Sequence, residues 1–223
     1  MSLAWTPRIS CRREAGKYTV TREPKIGILA VQGDYAEHRR VLEALGIESR
    51  LVRRAGELEN LSGLILPGGE STTMLRFLMG ESLMRPIQQF HEEGGALFGT
   101  CAGAILLAHE ATSATSSQQE SLGLLGVSIE RNAYGRQLES HIARESCPAL
   151  GEPSVEMVFI RAPVVRRVGP EVEILAHHGR DPVFMRQGRI LATTFHPELS
   201  RDHRVHSFFV HRVVQSESVF SRM

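Results

Sequence analysis

The run "KIGILAV", residues 25–31, restricts the fold more than any other stretch of the chain. It is almost continuously apolar, so as a strand it must be covered on both faces, which is the condition of strands in parallel sheets. The following segments repeat the demand. A "QGDY" turn leads into "AEHRRVLEALG", which sets Val41, Leu42 and Leu45 on one helical face and ends at Gly46. Residues 47–54 read as a second strand, and "LSGLILPGGES" (61–71) as a third, broken by Pro67, Gly68 and Gly69. Helices are predicted over "TTMLRFLM" and "ESLMRPIQQFHEEGG", then a short strand "ALFG" and a helix over "CAGAILLAHE". Strands that alternate with helices need crossover connections, hence an α/β fold with a largely parallel sheet.

The stretch 111–121, "ATSATSSQQES", has the composition of a loop. Beyond it more strands are predicted, in "GVSIERNAY", "SVEMVFIRAP", "VEILAHH", "DPVFMRQG" and "RILATTFHPE". A closing helix is predicted over "DHRVHSFFVHRVVQ", with Val205, Phe208, Phe209 and either Arg212 or Val213 at helical spacing. No internal repeat and no domain boundary is evident after residue 24.

Composition bounds what this fold can serve. A chain of 223 residues, 42% apolar, suits one substantial α/β domain. Its 26 basic and 25 acidic residues nearly cancel, so nothing calls for nucleic acid or an anionic membrane as partner. No apolar run approaches the ~18 residues of a membrane span. Residues 1–24 are basic, irregular and without an apolar core segment, and are expected to be a disordered or non-native extension, with the domain at 25–223. Three unpatterned cysteines, Cys11, Cys101 and Cys147, suit a reducing cytoplasm better than a disulfide framework.

The chemistry centres on "FGTCAG", residues 98–103. A cysteine among apolar residues is by default an inert core residue. Here Gly99 and Gly103 flank Cys101 two residues away on each side, between a strand and a helix. That is the G-x-(nucleophile)-x-G frame of a nucleophile elbow, and a helix N-terminus behind the thiol favours the reactive thiolate. A thiol nucleophile needs a base oriented by a third group. Of ten histidines, His196 stands apart: it ends an apolar strand, where open parallel sheets form their sites, and precedes Pro197 and Glu198. Cys101, His196 and Glu198 are therefore the candidate catalytic set.

"LPGGES" ends another buried strand. The backbone N–H groups of Gly68 and Gly69, with that of Ala102, are candidates for an oxyanion hole. The same residues also read as a Pro-Gly turn with Ser71 as a helix N-cap. Arg131 in "ERNAYGRQ" and Arg161 in "FIRAP" are either surface arginines or a clamp for a substrate carboxylate.

Together, "GILAVQGDYAEH", "GLILPGGESTT", "FGTCAGAI", "ERNAYGRQ", "FIRAP" and "FHPELSRDHRVH" closely resemble the glutaminase subunits of pyridoxal 5'-phosphate synthase, which are class I, triad-type glutamine amidotransferases. The likeness runs from about Lys25 to the final helix. It implies a three-layer, doubly wound, flavodoxin-like fold of the class I amidotransferase type. It also implies that Cys101 attacks the carboxamide of L-glutamine, with His196 as base and Glu198 orienting it. The ammonia released would pass to a barrel-shaped synthase subunit, which combines it with ribose 5-phosphate and glyceraldehyde 3-phosphate. On the matching motifs, glutamine binding falls on Gly69, Glu70, Ser71, Arg131, Ile160 and Arg161. Gln32 falls beside the oxyanion region and the synthase interface. No cofactor or metal is implied. A cysteine hydrolase of similar fold, or a module that has lost catalysis, remains as an alternative. The sequence departs from the family at the serine-rich 111–121, at His141-Ile142 where Phe-Glu is usual, at 143–154 and in the extension.

Overall fold

The computed structural model describes residues 10–14, 17–21, 24–113, 118–131 and 140–215. Within the N-terminal extension, β1 (Ser10–Glu14) and β2 (Lys17–Thr21) pair antiparallel as a hairpin of their own. The remainder begins with β3 (Ile26–Leu29), in which every residue is buried. There follow α1 (Tyr35–Ala44), β4 (Ser49–Val52), β5 (Gly63–Leu66), α2 (Ser71–Gly80), α3 (Met84–Glu92) and β6 (Ala96–Thr100), in the order the apolar periodicity predicts.

Two expectations then fail. The helix predicted over 101–110 stops early, as α4 (Ala102–Leu107). The carbonyls of Leu106 and Leu107 accept the N–H groups of Leu122 and Leu124, at 2.7 and 3.0 Å, so tertiary partners replace the next helical turn. Ala108 accordingly opens a strand, β7 (Ala108–Ser113). With β8 (Gln118–Gln119) this puts strand pairing at both ends of a stretch whose composition predicted only loop. Small polar residues signal a turn, but they do not prevent edge pairing once a neighbouring strand offers its backbone.

The chain continues as β9 (Leu125–Arg131), β10 (Ser140–Glu145), β11 (Val155–Ile160) and β12 (Val164–Val168). Next come β13 (Glu173–His178), β14 (Asp181–Gln187), β15 (Ile190–Thr193) and α5 (Arg204–Phe208). Strand β10 is not foreseen in the sequence, since its residues are mostly exposed and give no apolar signal. The predicted closing helix is α-helical only to Phe208 and continues as a π-helix over Phe209–Val214. Val213, not Arg212, is the buried member of the expected row.

The main sheet has the order β13-β14-β15-β6-β5-β3-β4. The five strands from β15 to β4 are parallel, and β13 and β14 add an antiparallel edge. Helices cover both faces. Leu64 and Leu66 point into one core with α2, α3 and α4, while Ile65 points into the other with α1, α5 and the π-helix. This alternation explains why the strands lack a polar face, and each large side chain so buried contributes about 1.5–3 kcal/mol. A second, four-stranded sheet, β12-β9-β7-β8, and the β10-β11 hairpin complete the described structure. In the main sheet the chain steps outward from β3 to β4, then returns through β5, β6 and β15. The reversal falls between β3 and β5, where ligands bind in open α/β sheets. No helix among the described residues is long and apolar enough to cross a membrane.

Candidate active site

Four neighbouring parallel strands, β15, β6, β5 and β3, end on the same side of the sheet. Each delivers one part of the site. Cys101 follows β6 directly, and its N–H bonds the carbonyl of Thr193 at 2.8 Å, carrying the β6–β15 ladder one residue further. Its backbone is at φ 47° and ψ −102°, a conformation costly for a side-chain-bearing residue. The glycines on either side show what that turn requires. A Cβ on Gly103 would lie 1.9 Å from the carbonyl oxygen of Leu66, and one on Gly99 would lie 2.6 Å from the backbone of Gly103. Both glycines are therefore demanded by backbone-to-backbone contact. Cys101 is 6% exposed, and its Sγ lies 4.0 Å from the carbonyl oxygen of Ile160.

His196 reaches the same place from the end of β15. Its N–H bonds the carbonyl of Val158 at 2.8 Å, and Pro197 opens a 3₁₀ turn that brings Glu198 back beneath the ring. Nδ1 of His196 lies 2.7 Å from Oε1 of Glu198 and 3.3 Å from Oδ2 of Asp34. Gly68 packs flat against this ring; a Cβ there would lie 2.3 Å from Cε1 of His196. Burial by itself would lower the pKa of His196. Hydrogen bonding to Asp34, Cys101 and Glu198 outweighs it, and the ring is pushed up to about 12. Burial pushes the Glu198 carboxyl up, while its bond to His196 pulls the other way. The arrangement is a buried imidazole between a carboxylate and a thiol, the pairing that lets a histidine take up a cysteine's proton. Donor atoms of Asp34, His196 and Glu198 all lie within 4.8 Å of one another, and the imidazole is what the two carboxylates share.

A cavity of about 340 Å³ opens beside Cys101 and His196. Gly69, Glu70, Ser71, Arg131, Ile160 and Arg161 all line it, as do Gln32, Asp34 and Ala102. Gly68 does not; its Cα serves the His196 ring, and its carbonyl accepts the N–H of Asp34 at 3.1 Å. The N-cap of α2 is Glu70 rather than Ser71. Its carboxylate accepts the N–H groups of Thr72 and Thr73 at 3.1 and 2.7 Å. Burial raises the Glu70 pKa, but these bonds prevail and hold it at about 2. Ser71 is freed to face Arg131, whose Nη1 donates to Ser71 Oγ at 3.2 Å and to Thr72 Oγ1 at 2.8 Å. Arg131 Nε is buried without a partner. Gln32 Oε1 accepts the N–H of Glu70 at 2.8 Å and fills the space a Cβ on Gly69 would need. Arg161 sits at φ 45°, in the left-handed region. The rest of "ERNAYGRQ" beyond Arg131 lies outside the described residues.

Sequence reasoning missed Asp34, His38, Thr100, Gln119 and His206. Asp34 occupies the N-cap of α1 yet makes no side-chain cap bond, its carboxylate being turned to His196. His38 shares the apolar face of α1 with Val41 and Leu42, a placement that was visible in the helical spacing. Gln119, in the stretch read as loop, accepts from Ser71 Oγ at 3.2 Å.

A cysteine elbow and a histidine–carboxylate pair on this doubly wound sheet define the class I glutamine amidotransferase fold. A crystal structure described as a glutamine amidotransferase is 48% identical, covers 83% of this chain and 97% of its own, and superposes with a TM-score of 0.77. The family model for the SNO glutamine amidotransferase family matches residues 28–215, and the chain belongs to that family. Two curated relatives carry the name pyridoxal 5'-phosphate synthase subunit PdxT. The one from Deinococcus radiodurans is 50% identical over 83% of this chain and 95% of its own length. The one from Pelotomaculum thermopropionicum is 47% identical over 86% and 96%.

Proposed function

We propose that this chain is the glutaminase subunit of a pyridoxal 5'-phosphate synthase, hydrolysing L-glutamine and passing the ammonia to a synthase subunit. The observation that carries the reaction is the meeting of Cys101 with a His196 that is held by Glu198 at 2.7 Å, at the mouth of the cavity containing Arg131. The Cys101 thiolate attacks the side-chain carboxamide carbon of glutamine, forming a C–S bond and a tetrahedral oxyanion. Ala102 and Gly69 line the cavity beside the sulfur, and their N–H groups are the candidates to stabilise that oxyanion. His196 protonates the amide nitrogen, the C–N bond breaks and ammonia leaves. A water then gives its proton to His196 and attacks the thioester, so that glutamate departs and the thiolate returns. Arg131, with its unpaired Nε, and Arg161 are suited to the substrate's α-carboxylate.

The family supports the partner and the pathway, and a cytoplasmic location is proposed with them. Relatives matched over nearly their whole length, named as subunits of pyridoxal 5'-phosphate synthase, support an ammonia-accepting synthase partner. The free thiols of Cys101 and Cys147 suit a reducing cytoplasm. The test is glutamate release from L-glutamine, measured with and without the synthase subunit. Activity should rise with the partner and vanish in Cys101→Ala; turnover that survives this substitution would sink the proposal. A glutamine-analogue electrophile should label Cys101, and peptide substrates should not be cleaved.

A further inference from the structure

Behind the His196–Glu198 pair lies a layer of buried histidines that the reaction above does not use. His38 on α1 and His206 on α5 are both fully buried. Nδ1 of His38 lies 2.8 Å from Nε2 of His206. Nε2 of His38 lies 3.1 Å from Oγ1 of Thr100 and 3.5 Å from Oε2 of Glu198. That carboxylate oxygen is buried and makes no hydrogen bond, and Nδ1 of His206 is also buried without a partner. Phe98 meets both rings edge-on and closes the remaining side.

Counting protons decides the orientation. Burial, and then the facing His206 and His196, hold His38 well below the usual histidine range; burial, with His203, takes His206 to about 3. Each ring is therefore neutral near pH 7 and carries one N–H. In one arrangement His206 donates Nε2–H to His38 Nδ1, and His38 turns its Nε2–H toward Thr100 and Glu198. In the other, His38 donates Nδ1–H to His206. A lone pair on His38 Nε2 then faces the carboxylate, and the N–H of His206 Nδ1 is stranded in the core. The second arrangement sets a lone pair against an anion and orphans a buried donor, which is the costlier defect. The first leaves only an unprotonated nitrogen without a partner.

We infer that His38 is a positioning residue for this site: its Nε2–H, fixed in that tautomer by His206 and bonded to Thr100 Oγ1, also presents its positive edge to Glu198 Oε2 at 3.5 Å, and this polar contact keeps the carboxylate aimed at His196. The inference rests on the assignment of Cys101, His196 and Glu198 given under the proposed function. At 3.5 Å the contact is electrostatic, the hydrogen bond itself going to Thr100 Oγ1 at 3.1 Å. The N–H groups point one way through the set, from His206 to His38 and from His38 toward Thr100 and Glu198, with His196 donating to the other carboxylate oxygen. No proton needs to travel along it.

The experiment compares the full chain with its His38→Leu, His38→Gln and Cys101→Ala variants, each assayed for glutaminase with the synthase subunit present. Nitrogen-15 NMR of the histidine rings reads the tautomers. In His38→Leu, kcat should fall about 10–100-fold with KM for glutamine little changed, since the polar N–H that faces a buried carboxylate is lost. His38→Gln, whose amide N–H reaches the same place, should recover most of that loss. In the unsubstituted protein His38 should be the Nε2–H tautomer. A folded His38→Leu with undiminished kcat, equal losses in both His38 variants, or an Nδ1–H tautomer would each overturn the inference. Should His38→Leu not fold, the tautomer and His38→Gln still decide. Turnover by Cys101→Ala would instead reject the glutaminase assignment and leave the tautomer to judge His38.

Discussion

Gly103 and Leu66 touch through their backbones: the carbonyl oxygen of Leu66 occupies the place a side chain at residue 103 would need, 1.9 Å from an ideal Cβ. The elbow that presents Cys101 is thus held by β5, the adjacent strand, as well as by its own turn. Gly103→Ala should force the two strand ends apart. We expect a loss of about 1–3 kcal/mol in denaturant unfolding, the usual cost of overpacking, together with loss of glutaminase activity. Stability within experimental error of the unsubstituted chain would show that the contact yields easily.

Arg131→Lys separates charge from shape. The guanidinium bonds Ser71 and Thr72 through Nη1 at the cavity wall, a planar fork that an ammonium cannot reproduce. If the fork holds the substrate's carboxylate in ground and transition state alike, KM for glutamine should rise about tenfold with kcat nearly constant. A fall confined to kcat would place Arg131 nearer to the reacting carbonyl.

Glu70 links stability to pH. Its folded pKa of about 2 lies below the ordinary carboxylate value, so its stabilising effect is complete above about pH 4.5. That effect fades as pH falls toward 2. Glu70→Ala should cost about 1 kcal/mol at pH 7, as for loss of an N-cap, since solvent around the exposed carboxylate screens anything larger. The difference between the two proteins should shrink steadily below pH 4.5 in thermal or denaturant melts.

His38 and His206 work in the same direction, but in a higher pH range. Both are neutral in the fold and charged in the unfolded chain below about pH 6.5, so the unfolded state binds more protons as the solution is acidified. Stability is complete above that pH and declines beneath it, by up to about 1.4 kcal/mol per pH unit for each ring, with His206 contributing down to about pH 3. His206→Phe should flatten this decline between pH 6.5 and 4. A slope equal to that of the unsubstituted protein would mean that His206 is charged in the fold.

The residues that were legible in the sequence are those whose chemistry and local frame coincide. Cys101 announced itself because its two glycines are a local requirement of the turn, and His196 because proline and glutamate follow within two residues. Both sit at the ends of apolar strands, which the lack of polar alternation had already marked as the interior of a parallel sheet. Asp34 escaped notice because it belongs to the "QGDY" turn, and only the fold shows its carboxylate turned to His196. His38 and His206 lie far apart in the chain and meet only when α1 and α5 cover the same face of the sheet. Strand β8 was hidden because a pairing of two residues leaves no periodicity, although it supplies Gln119 to Ser71.

The strands that end at the cavity are contiguous in the sheet but scattered along the chain, with β3 near the start and β15 near the finish. A ribosome releases the cysteine well before the histidine that is to work with it. Until β15 docks against β6, Cys101 lacks His196, Glu198 and the backbone bond to Thr193. Ammonia production in this protein thereby needs the β6–β15 pairing, and a chain that ends before β15 has a cysteine without its base and wastes no glutamine.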